Sequence, residues 1–118
     1  MGIFDKLFGS KANGIETNNT EHAVIVSFIY GMDNLEPLHR LENELRKSID
    51  KNSLGEYDGH DIAIDYSDGT LYMYGSNAEI LFNGVRSILE KADFMKGANV
   101  TMRFGPPEDG VKEIKVII

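Results

Sequence analysis

From His22 to Tyr30 the chain reads HAVIVSFIY, apolar on both sides of a two-residue period. Val24, Val26, Phe28 and Tyr30 fall on one side, and Ala23, Ile25, Ser27 and Ile29 on the other. β-Branched residues dominate, which predicts a central strand covered at least in part on both faces. The period then changes. In DNLEPLHRLENELRKSIDKN, Leu38, Leu41, Leu45 and Ile49 follow the 3-4-4 spacing of a buried helical stripe. Asp33 or Asn34 can cap this helix, and Pro37 falls in the first turn, where its missing N–H is harmless. Arg46, Lys47 and Lys51 lie late, where the helix dipole favours cations.

HDIAIDYSDGTLYMYG reads as two strands around an Asp68-Gly69 turn, a strong local hairpin signal. With those two residues as the loop, Tyr66 faces Leu71 and Ile64 faces Met73, while Asp65 faces Tyr72 and Ala63 faces Tyr74. A second helix is predicted in SNAEILFNGVRSILEKADF. Ser76 and Glu79 have capping-box spacing, Leu81, Val85, Ile88, Leu89 and Ala92 form the apolar stripe, and Gly97 terminates it. Val100, Met102 and Phe104 then alternate with Asn99, Thr101 and Arg103. After the turn PPEDG, Ile114, Val116 and Ile118 alternate with Glu113, Lys115 and Ile117. These last two strands form a second hairpin.

The resulting order is an α+β, ferredoxin-like βαββαβ plan with an additional C-terminal strand. Right-handed crossovers put both helices on one face of a mostly antiparallel sheet, with expected strand order β2-β3-β1-β4-β5. Residues 21–118 form this single domain. Before it, MGIFDKLFG carries a short amphipathic stripe, Ile3, Phe4, Leu7 and Phe8, and SKANGIETNNTE reads as a polar linker. Two turns of helix are unstable alone, so the stripe needs a docking surface or a lipid interface, and its membrane contact is weak and peripheral at best. Gly2 is not a myristoylation signal, because Lys6 stands where Ser or Thr is needed.

Composition narrows the function classes. With no cysteine, disulfides, thiol catalysis and thiolate metal sites are excluded, and a reducing, cytoplasmic location is expected. No run of about 18 apolar residues spans a membrane, and no signal peptide opens the chain. A net charge of −7 repels nucleic acid and anionic lipid and attracts a basic protein partner. The acidity is concentrated. Residues 55–76 hold Glu56, Asp58, Asp61, Asp65 and Asp68 with four tyrosines, and neither lysine nor arginine.

With helices on one face, the other face is open. It is expected to carry Asp61, Asp65, Tyr72, Tyr74 and Arg103 around an apolar middle from β1, the anatomy of a protein interface. The plain structural alternative is an edge strand that carries charge to block pairing, with tyrosines favoured by strand propensity. Tyr72 and Tyr74 alternate on the third strand, where RNA-recognition domains place stacking aromatics, but the basic residues of that pattern are absent. Asp58, His60 and Asp61 cluster near the hairpin mouth, and His60 and Asp58 share a side of a regular strand. Two ligands are too few, so no metal and no cofactor is expected. His39 is expected to face solvent. Ser27, Ser67 and Ser87 lack a nucleophile elbow, and Gly105-Pro106-Pro107 is a turn without the N–H groups of a phosphate cradle.

The segments YDGH (57–60), DGTLYMYG (68–75) and FGPP (104–107) resemble a family of small bacterial proteins of uncharacterised function. The likeness runs over roughly residues 30–118. It implies a bacterial source and one compact α/β domain, and brings no activity or catalytic residues. The expected function is therefore a non-catalytic protein-binding module of the immunity or inhibitor type. Its contact residues are Tyr72, Tyr74, Asp58, Asp61, Asp65 and Arg103. A homodimer built on the open face, structural or regulatory, and a small-ligand-binding or enzymatic ferredoxin-like dimer are its rivals.

Overall fold

The computed structural model describes residues 21–118. The stripe Ile3, Phe4, Leu7 and Phe8 and the polar linker lie outside the described residues. Within them the elements run β1 (His22–Ile29), α1 (Glu36–Lys51), β2 (Glu56–Ile62), β3 (Asp68–Gly75), α2 (Ala78–Lys91), a 3-10 turn (Asp93–Met95), β4 (Asn99–Arg103) and β5 (Glu113–Ile117). The strands form one antiparallel sheet in the order β2-β3-β1-β4-β5. This is the ferredoxin-like plan with an extra strand that the alternation of periods predicts.

The hydrophobic periods explain the layers. Val24, Val26 and Phe28 of β1, Leu71 and Met73 of β3, and Val100 and Met102 of β4 point to one side. There they join Leu38, Leu41, Leu45 and Ile49 of α1 and Leu81, Phe82, Val85 and Leu89 of α2 in a single core. Each fully buried aliphatic side chain contributes roughly 1.5–3 kcal/mol of transfer free energy. Both helices serve this one face, so the opposite face of the sheet has no covering element among the described residues. Near the C-terminal end of β1, Phe28, Tyr30, Tyr66 and Phe94 pack edge-on or tilted and extend the core.

Three local expectations differ from the structure. The first is the β2–β3 turn, which lies at residues 63–67 and not at Asp68-Gly69. Asp68 and Gly69 already belong to β3, and Gly69 pairs with Ile62. The Asp65 carboxylate accepts the Ser67 N–H at 3.0 Å, Tyr66 N–H donates to Ala63 O at 2.8 Å, and Tyr66 adopts a left-handed φ of 62°. That conformation is unfavourable for a tyrosine, but it packs the ring edge-on against Tyr30. The glycine at 69 answers crowding: a Cβ there would lie 2.8 Å from Asp61 O and 2.9 Å from Phe28 Cζ. The predicted pairs of Ile64 with Met73 and Asp65 with Tyr72 therefore do not form. Met73 is opposite Tyr57, and Ile64 is fully exposed in the turn.

The other two are caps. Asn77, one residue after Ser76, caps α2 by accepting the Ile80 N–H at 3.0 Å. His22 Nδ1 takes a second free donor there, the Ala78 N–H, at 3.1 Å. At α1 the capping position is Leu35, and Asn34 acts from one residue earlier through the Glu36 N–H at 2.9 Å.

Candidate functional site

The uncovered sheet face is built by the members of each alternation that point away from the helices. Tyr72 and Tyr74 stand half-buried on β3, opposite Ile25 and Ala23 of the central strand. On the other side of β1, Thr101 and Arg103 of β4 flank the same two residues. Apolar surface continues to Ile29 and Ile117, both more than two-thirds exposed. The Tyr72 hydroxyl donates to Asp61 Oδ2 at 2.9 Å across the β2–β3 pair. That bond to a carboxylate, with some burial, pushes the hydroxyl above the usual tyrosine range.

The charged residues predicted for this face divide. Asp61 is on the face and holds Tyr72. Asp58 is exposed in a bulge of the edge strand β2. Asp65 lies in the turn, where its carboxylate is engaged by Ser67, an interaction that lowers its pKa. Arg103 spends its donors on backbone, Nε on Gly105 O at 2.7 Å and Nη2 on Glu21 O at 3.3 Å. Through these two bonds it clamps chain segments beside the face. A shallow depression of about 300 Å³ opens at one end of the face, lined by Ser27, Ile29, Thr70, Lys96 and Asn99 among others.

A second cluster lies on the helix side, where α1 meets β2. Regular alternation would put Tyr57 and His60 on opposite faces. The register shift between Tyr57 and Gly59 adds one residue, and both side chains turn toward α1. Gly59 makes this possible with a φ of 143°. His60 therefore shares its face with Tyr57 and not, as a regular strand predicts, with Asp58. Between them Glu42 of α1 is only 3% exposed. Its Oε2 accepts the Tyr57 hydroxyl at 2.5 Å and contacts His60 Nδ1 at 2.7 Å. Burial first, then the bond to Glu42, raises the Tyr57 hydroxyl far above the ordinary tyrosine range. The Arg46 guanidinium stacks 4.9 Å from the Tyr57 ring centroid. The exposed His39 ring lies 6.3 Å from that of His60.

Sequence patterning missed this cluster, although one signal was present. Glu42 stands at i+4 from Leu38 and i−3 from Leu45, inside the apolar stripe, where a charged residue needs partners.

No protein-family model, curated protein or solved structure matches this chain. The functional conclusion therefore rests on its own geometry. No helix among the described residues is long and apolar enough to cross a membrane.

Proposed function

We propose that this protein is a non-catalytic binding module whose open sheet face takes a basic protein partner, in the manner of an acidic immunity or inhibitor protein. The observation that carries this is the uncovered face itself, with Tyr72 and Tyr74 half-buried beside Ile25 and the acidic edge strand β2 along its rim. Tyrosine buries a large rigid surface at low entropic cost, which is why it anchors interfaces. The net charge of −7 accelerates encounter with a cationic partner, and added salt screens this steering. A bacterial setting, which the likeness of the YDGH, DGTLYMYG and FGPP segments implies, and a reducing, cytoplasmic one, which the lack of cysteine fits, belong to the same proposal.

The competing occupant of the face is a second copy of the chain. Sedimentation velocity of the full chain and of Tyr74→Glu separates the two. A monomer for both proteins is the expected result. A wild-type dimer that Tyr74→Glu dissolves would assign the face to self-association and overturn the proposal.

A further inference from the structure

We propose that His39 and His60 form a surface site for a divalent ion of the zinc, nickel or copper class, with Glu42 as the residue that positions the His60 ligand. Glu42 Oε2 lies 2.7 Å from His60 Nδ1, and the Tyr57 hydroxyl at 2.5 Å holds the carboxylate in place. An imidazole bonded through Nδ1 to a carboxylate keeps only Nε2 for a metal. The carboxylate also fixes the ring orientation, the recurring carboxylate–histidine–metal arrangement. Tyr57 and His60 alone would satisfy Glu42. That need does not account for a second imidazole opposite the first.

His39 lies one turn before Glu42 on α1, and its ring is 6.3 Å from His60's at a 42° tilt. A ligating imidazole nitrogen sits about 2.0–2.1 Å from zinc, so each ring centroid lies about 3.2 Å from the ion. Two ligating rings are then separated by about 5 Å at the tetrahedral angle and about 6.5 Å when opposed. The observed spacing falls within that range, and the exposed His39 side chain is free to rotate toward the tighter geometry. Nearby cations are engaged elsewhere: Arg40 pairs with Glu36 at 3.3 Å, and Arg46 is turned onto Tyr57. Among the described residues no third His, Cys, Asp or Glu side chain joins them, so the proposed site is a two-histidine surface site that leaves the remaining positions to solvent. It is weaker than the three- or four-ligand site of a resident metal, which Asp58, His60 and Asp61 were too few to make. Imidazole nitrogens without thiolates suit zinc, nickel and copper over magnesium or calcium.

The test titrates Zn²⁺ alone into the full chain, by calorimetry and by histidine-ring NMR. The expected result is one ion per chain, with the ring nitrogens of His39 and His60 shifted and those of His22 unmoved. His39→Ala, at an exposed position, is expected to lose about tenfold or more in affinity at unchanged melting temperature. Glu42→Gln is expected to lose tenfold to a hundredfold. Should Glu42→Gln unfold, the His39→Ala affinity and the ring shifts decide alone. Equal zinc affinity for wild type and His39→Ala, or shifts confined to His22, would overturn the proposal.

Discussion

Glu42 is the residue on which α1 and β2 depend most specifically. A carboxylate this deep is tolerated because both contacts at Oε2 are short, to Tyr57 at 2.5 Å and to His60 at 2.7 Å. Removing one leaves a buried charge under-satisfied. Tyr57→Phe is therefore expected to lower unfolding free energy by about 1.5–3 kcal/mol, measured by urea denaturation at pH 7. The same hydroxyl gives stability a pH dependence. Its folded pKa is raised above the unfolded value of about 10, so its contribution is complete below pH 10 and is lost as pH rises beyond it. Urea midpoints taken from pH 8 to 12 should fall at the alkaline end, and Tyr57→Phe should flatten that fall. Some slope remains in the variant, because burial also raises the Tyr30 hydroxyl. A slope identical in both proteins would remove Tyr57 from the explanation. Glu42 was legible as a charged residue out of place in an apolar stripe. Its partners were not, since they come from a strand whose register is broken between them.

The strand β2 shows what local pattern conveys about an element and what it omits. Its existence and its pairing with β3 follow from alternation around a turn. The turn itself was misread because Asp-Gly is a strong hairpin signal, whereas here Gly69 is required by the close approach of Asp61 O, Ile62 and Phe28 inside the sheet. The true turn uses Asp65, Tyr66 and Ser67, and it is chosen by tertiary contacts: Tyr30 N–H to Ser67 O at 2.9 Å and Gly31 N–H to Tyr66 O. Gly69→Ala should consequently destabilise strongly, with a drop in melting temperature that Gly110→Ala, where an added Cβ meets nothing within 4 Å, does not match. Gly110 has a φ of 83°, so Gly110→Ala carries a backbone strain that Gly69→Ala does not, and a larger loss at Gly69 measures crowding in excess of that strain. The bulge gives a second prediction. At Gly59 there is also space for a Cβ, so Gly59→Ala is opposed by its φ of 143° alone, at about 1–3 kcal/mol. Relief of that strain would move Tyr57 and His60 off their common face. Loss of the His60 ring-nitrogen shift that marks its bond to Glu42 is the expected NMR signature.

For the molecule as a whole, strand order and helix placement were legible because few topologies join two helices and five strands without left-handed or crossing connections. The open face follows from the same counting, since two helices cover one side only. On the proposed reading the face is filled by a partner molecule, and no intramolecular pattern records such a contact. In the proposed binding mode Tyr72, held by Asp61, and Tyr74 beside it serve as aromatic anchors, with Asp58 and Asp61 as the acidic rim. Tyr72→Ala is expected to weaken partner binding by more than about 1 kcal/mol, roughly fivefold in Kd. Raised salt should slow association more than it speeds dissociation. The most direct measurement is quantitative capture from a bacterial lysate, at low and at high salt, with the wild-type chain beside Tyr72→Ala/Tyr74→Ala of matched melting temperature. A basic protein enriched by the wild type alone, and diminished at high salt, is the result the open face predicts. The same proteins recovered equally by both baits, or no partner recovered by either, would contradict it.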